Sequence, residues 1–381
     1  MATKSQNRGT VFWLDCQLTR SMKSLGCFLF ILSTALVNGQ ELRTRNVILI
    51  TLDGYRWQEV FGGPDPRLFF HHKYVEDTLV WQRFGDPLET VSRKKLMPFF
   101  WNVIAAEGQL YGNRKLDSKV NTMNPHHLSY PGYNELLAGL NDPEITSNKS
   151  EANPNETVLE FINRQPEFKD QVAVFATWDA FPYILNQERS KIRINDLVTP
   201  VKDQGALEQP KSDKVTFERA FDYLKREKPR VLFISLNETD AFAHQQRYDD
   251  YLKAAYETDR RIATLWAWVQ NDSTYRDRTT LILTTDHGRG HGKSNWQHHR
   301  RFAAGSGQIW FATIGPDTPA FGEMKIPARY YQDQLAKTMA AFLGLNYNPV
   351  SGAGQIVQTM LAAPPAEEAN ILVDQSIDGD Q

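Results

Sequence analysis

Three apolar runs in this sequence each end in side chains that bind divalent metals. Residues 46–52 (NVILITL) are followed by Asp53, residues 230–236 lead to Asp240 and His244, and residues 279–285 deliver Asp286 with His287. Carboxylates and imidazoles without thiolates suit zinc, manganese or a similar ion bound for catalysis rather than for structure. Taken singly the signals are weak. Asp53-Gly54 has the composition of an ordinary turn, and Asp240 could cap a helix, although the spacing of Asp240 and His244 puts both on one face if a helix starts there. Asp286-His287 is sharper, because two polar groups directly after a buried run must find partners.

Such residues, far apart in sequence, meet only if their strands run in parallel. Runs at 46–52, 171–177, 230–236, 279–285 and 308–314 have the length and β-branched content of core strands, and helical patterns separate them. Pro98 opens one helix and Gly108 closes it. The longest helix spans 249–272, with Leu252, Ala255, Ile262, Leu265 and Trp266 on its inner face. This alternation predicts a three-layer α/β/α fold around a mostly parallel central sheet, with ligands collected at the carboxyl ends of the strands. Polar and aromatic stretches near 62–97 and 178–213 interrupt the pattern and read as insertions above those ends.

In this order the motifs resemble the alkaline phosphatase superfamily, and specifically its type I phosphodiesterase and nucleotide pyrophosphatase branch. The resemblance implies two zinc ions. One would be held by Asp53, Asp286 and His287, the other by Asp240, His244 and a later histidine. It also implies a Ser or Thr nucleophile on a helix N-terminus, also bound to metal, and Ser129 in Ser129-Tyr130-Pro131 fits that place. Ser129 also has the composition of a plain helix N-cap. For the last ligand the chain offers His291, His298 and His299. His299, three residues after Trp296, matches the spacing in relatives, but Arg300 stands where they carry glycine. The resemblance also implies an asparagine around twenty residues past the nucleophile that helps hold a phosphoryl oxygen, and Asn148 lies near that spacing, although it could also be a plain loop residue.

The implied function is hydrolysis of a phosphodiester or nucleotide pyrophosphate through a phosphoseryl intermediate, on a small-molecule phosphate ester. Alternatives are a phosphomonoesterase of the same superfamily, a phosphoryl or headgroup transferase, a sulfatase, and a metal-binding surface protein without turnover. The sulfatase branch resembles Cys/Ser-x-Pro-x-Arg at the nucleophile, and here the last position is Tyr133. Arg56, Arg289, Lys293 and Arg300 are candidate cations for the non-bridging oxygens.

The chain has 381 residues, with 43 Lys and Arg against 45 Asp and Glu. Residues 1–39 read as a leader: 22–39 a signal peptide with Lys23 before an apolar core, and 1–21 a possible gene-model extension. Removing these 39 of 381 residues leaves 342, enough for a large catalytic domain over 40–362, followed by a mobile acidic tail at 363–381. The leader carries Lys4, Arg8, Arg20 and Lys23 against Asp15, so the net charge of −2 becomes −5 in the mature chain and argues against binding to a nucleic acid duplex. Cys16 and Cys27 both fall in the leader, which leaves no disulfide or cysteine nucleophile. A periplasmic or secreted protein without a transmembrane helix in its mature part is expected. Asn-x-Ser/Thr matches at Asn148, Asn155, Asn237 and Asn271 are too frequent by chance to decide the compartment.

Overall fold

The computed structural model describes residues 42–195, 212–349 and 352–361. The leader, the acidic tail and part of the second insertion lie outside the described residues.

An eight-stranded sheet runs through the middle of the domain. Its centre is β7 (Thr279–Thr284), β1 (Asn46–Leu52), β6 (Val231–Leu236) and β4 (Val172–Ala176), all parallel. On one side of these four strands lie β10 (Gly322–Glu323), β2 (Gln109–Tyr111) and β9 (Phe311–Ile314), and on the other β5 (Arg193–Ile194), in the order β10-β2-β9-β7-β1-β6-β4-β5. Every residue of β1 is buried, and its neighbours alternate between two cores. Ile48, Ile50 and Leu52 pack into one; Val47 and Leu49 pack into the other. A strand covered on both faces needs apolar side chains on both, which is why the run is continuous rather than alternating. The first core is closed by the helices Asp213–Glu227 and Tyr248–Val269, the second by Ser129–Ala138, Val158–Arg164 and Gln334–Phe342. The expected three layers are present, and the long helix buries Leu252, Ala255, Ile262, Leu265 and Trp266 as its periodicity requires.

The run at 308–314 is not one parallel strand. It breaks at Trp310 into β8 (Gln308–Ile309) and β9 (Phe311–Ile314), and β9 pairs antiparallel with β7. Trp310 is fully buried and donates its indole N–H to the Tyr55 carbonyl at 2.9 Å, so packing overrides the strand pattern there. β8 joins a second sheet of three strands with β3 (Ser118–Asn121) and β11 (Ala328–Tyr331), too short to stand out in the sequence. The insertion at 62–97 folds as short helices, Pro66–Phe69, Leu79–Phe84 and Glu89–Leu96. Among the described residues, no helix is long and apolar enough to cross a membrane.

Candidate metal centre

Because β7, β1 and β6 are adjacent and parallel, the residues just past their carboxyl ends share one rim. Asp53 follows β1, and Asp286 and His287 follow β7. β6 runs into the helix Glu238–His244, which carries Asp240 and His244 one turn apart. The Gly54 N–H donates to Asp286 Oδ1 at 3.0 Å and ties the first two strand ends together. Gly54 has φ +58°, and a Cβ there would lie 3.0 Å from both Arg289 Nε and Asp240 Oδ1, so the turn needs glycine for conformation and for space.

The described residues converge in two overlapping groups. His287 Nε2 lies 3.5 Å from Asp53 Oδ1 and 3.4 Å from Asp286 Oδ2, with Ser129 Oγ at 3.3 Å. Beside it, His244 Nε2 lies 3.3 Å from Asp240 Oδ2 and 2.9 Å from His299 Nε2. His299 stacks on His287 with ring centroids 3.9 Å apart, and Asp240, His287 and His299 also come within mutual reach. All seven expected side chains thus meet. His291 instead faces Gln58 through Nδ1 at 2.9 Å, and His298 points to the cavity beyond His299.

Ser129 arrives by a different route. Its helix spans Ser129–Ala138. Leu128 occupies the N-cap position, Ser129 is the first helical residue, and its hydroxyl caps no N–H, so the plain N-cap alternative is removed. Pro131 is tolerated because the first turn has no intrahelical use for its missing donor. Gly132 lets the helix press against β7: a Cβ there would sit 2.4 Å from the Asp286 carbonyl oxygen. Asn148 Oδ1 accepts the Tyr130 N–H at 2.9 Å, which sets Asn148 against the same helix end.

The electrostatics of these side chains fit a cation site. Burial holds His287 at about 3 and His299 at about 2, so both imidazoles are neutral near pH 7. His287 Nδ1 is 2.9 Å from the Gly288 carbonyl and His299 Nδ1 is 2.8 Å from the His127 carbonyl. An acceptor at Nδ1 places the single proton there and leaves each Nε2 as a lone pair facing carboxylates. Asp53 and Asp286 are nearly or fully inaccessible, yet Asp53 Oδ1 and Asp286 Oδ2 have no hydrogen-bond partner. Burial, and then the neighbouring carboxylates, raise the Asp53 carboxyl well above its ordinary value; burial first also pushes Asp286 up to about 7. Asp240 is held far below the usual range despite its burial, because Arg289 pairs with it. Lone pairs and carboxylate oxygens do not face one another in a dry site unless something positive lies between them.

Several parts of the site were not apparent in the sequence. Tyr133 donates to Asp53 Oδ2 at 3.3 Å. Asn124 Oδ1 accepts the His126 and His127 N–H groups, and Glu135 grips Met123 and Asn124, which fixes the carbonyl that orients His299. Asn124-Pro125 was the available signal, since that dipeptide marks a turn. Of the four candidate cations, Arg56 is sealed against Glu59 and Arg289 against Asp240, both buried. Lys293 does not line the cavity beside His244 and His299, whereas Arg300 does.

The sequence profile described as type I phosphodiesterase / nucleotide pyrophosphatase matches residues 106–339. No curated protein matches the chain. Among solved structures, the phosphonate monoester hydrolase of Agrobacterium radiobacter is similar at 14% identity and TM-score 0.52, over 84% of this chain and 78% of that one. A substituted form of the alkaline phosphatase PafA is similar at 11% identity and TM-score 0.51, over 84% and 99%. A sulfatase described as putative, from Bacteroides thetaiotaomicron, is similar at 12% identity and TM-score 0.53, over 82% and 74%. At these identities the likeness is one of fold, and the fold is alkaline phosphatase-like.

Proposed function

This chain belongs to the type I phosphodiesterase / nucleotide pyrophosphatase family, and from that premise we propose that it is an exported two-zinc hydrolase of phosphodiesters or nucleotide pyrophosphates. The observation that carries the proposal is the convergence of Ser129 Oγ with Asp53, Asp286 and a neutral His287 beside the Asp240, His244 and His299 group. Support for zinc comes from spacing: a tetrahedral ion with bonds of about 2.0–2.2 Å holds its donors about 3.3–3.6 Å apart. Donor pairs around His287 lie at 3.3 to 3.5 Å.

Asp53, Asp286, His287 and Ser129 would hold one ion, and Asp240, His244 and His299 the other. Bound there, the pair would lower the pKa of the Ser129 hydroxyl, screen charge on the phosphoryl and leaving oxygens, and activate water. Ser129 would attack phosphorus in line, forming an Oγ–P bond as the ester oxygen on the opposite face departs. Water would then cleave that bond, release the phosphoryl product and restore the hydroxyl. Asn148, anchored on the helix end, would steady a phosphoryl oxygen. The carbonyls of Gly288 and His127 keep the imidazole protons on Nδ1 throughout. A diester is favoured over a monoester because Arg56 and Arg289 are already spent on Glu59 and Asp240, and a dianion needs more cationic contact. Export, to a periplasm or the medium, is proposed on the leader at 22–39.

Ser129→Ala tests the reading. Turnover of a bis-nitrophenyl phosphate should fall by about three orders of magnitude or more while two zinc equivalents stay bound. Near-normal turnover in a folded Ser129→Ala protein would end the case for Ser129 as nucleophile.

A further inference from the structure

Arg300 directly follows His299 and lines, with His244, His298 and Phe302, a cavity of about 450 Å³. Its φ is +111°, far into the region that side chains with a Cβ rarely enter. The other non-glycine residues with positive φ lie between 42° and 62°, where single residues are tolerated. Two hydrogen bonds hold Arg300 in place: its carbonyl accepts from the Ala303 N–H at 2.9 Å and from the Ser306 hydroxyl at 2.8 Å. Glycine would make the same turn without strain, so the turn does not explain the arginine. Strained residues cluster at functional sites, and this one borders the candidate metal centre.

The surroundings indicate what that use is. Arg300 is exposed, and no carboxylate of the described residues pairs with it, unlike Arg56 and Arg289. Phe302 stands at the same cavity with 94% of its surface in solvent, an apolar ring without a protein neighbour to cover it. The cavity opens on the His244 and His299 side of the centre, away from the Asp53 and Asp286 group that Ser129 approaches. If the phosphoryl-transfer reading above holds, an in-line displacement directs the departing oxygen to this side.

We propose that Arg300 and Phe302 form a leaving-group subsite that selects esters whose departing alcohol carries a negative charge on a flat apolar body. Arg300 supplies a charge-assisted hydrogen bond and Phe302 a stacking face.

A matched pair of substrates tests this: methyl nitrophenyl phosphate, and the same diester with a carboxylate on the nitrophenyl ring. The wild-type zinc enzyme should favour the carboxylated ester in kcat/KM. In Arg300→Gly that preference should fall by about tenfold, the scale of one charge-assisted contact, while Tm rises by a few degrees as strain is relieved. Arg300→Lys should keep part of the preference. Phe302→Ala should lower kcat/KM for both esters and leave their ratio in place. An unchanged ratio in Arg300→Gly, or a lowered Tm, overturns the subsite. If the wild type cleaves neither ester, the phosphoryl-transfer reading fails and takes the subsite with it.

Discussion

Two groups of buried carboxylates share this domain and differ in how their oxygens are satisfied. Asp259, Glu135 and Asp213 are at most 2% exposed, and each has both oxygens bonded. Asp259 accepts the N–H groups of Phe99 and Phe100 at 2.7 and 2.9 Å. Glu135 accepts those of Met123 and Asn124 at 2.6 and 2.8 Å. Asp213 takes the Thr177 hydroxyl and the N–H groups of Asn237 and Glu238. Asp53 and Asp286 are buried as deeply, yet each keeps one oxygen without a partner, aimed at a neutral imidazole. The first group fastens loops to helices. The second carries an unmet electrostatic demand, and that buried, unmet demand is what fits Asp53 and Asp286, unlike the first group, to the proposed role of metal ligands.

The most forceful way to break this contrast is Asp286→Asn, which keeps shape and removes charge. Turnover should fall by about three orders of magnitude and zinc content should drop, while in chelator the variant should be at least as stable as wild type because a repelling charge is gone. Elemental analysis and denaturant melts decide it; lower stability in chelator would mean that Asp286 is a structural carboxylate after all.

Asp259→Ala probes the other group and should do the reverse. Two buried N–H groups lose their acceptor, so stability should fall by about 2–4 kcal/mol, with zinc content and turnover of the folded fraction retained. A loss of zinc from this variant would erase the distinction.

The last contrast is in pH. Burial raises Asp259 to about 7 from an ordinary 3.8. For a carboxyl raised on folding, the folded state binds the extra proton. The associated stability is therefore full below about pH 4 and is lost as pH rises toward 7. Measured in chelator, the stability gap between wild type and Asp259→Ala should narrow across that window. A gap that stays level across that window would show that Asp259 is ionised throughout it and held by its two N–H donors.

Strand, ligand and order were legible because they are local. VILITL followed by Asp53, and TLILTT followed by Asp286 and His287, carry their meaning within nine residues, and the parallel α/β class follows from their alternation with helices. The break at Trp310 was not legible, because its cause is the Tyr55 carbonyl 255 residues away in sequence. Spacing from Trp296 favoured His299 over His291 and His298, but it carried no physical reason for the choice. Only the His127 carbonyl, brought to His299 by the loop that Glu135 grips, fixes which imidazole turns its lone pair inward. The fates of Arg56, Arg289 and Arg300 were equally hidden. All three are the same residue near the same rim, and what distinguishes them is whether a buried carboxylate lies within reach once the chain has closed. Sequence determined which groups could bind metal and phosphate; tertiary structure decided which remained free to do so, since hydrogen bonds and ion pairs depend on contacts between segments far apart in the chain.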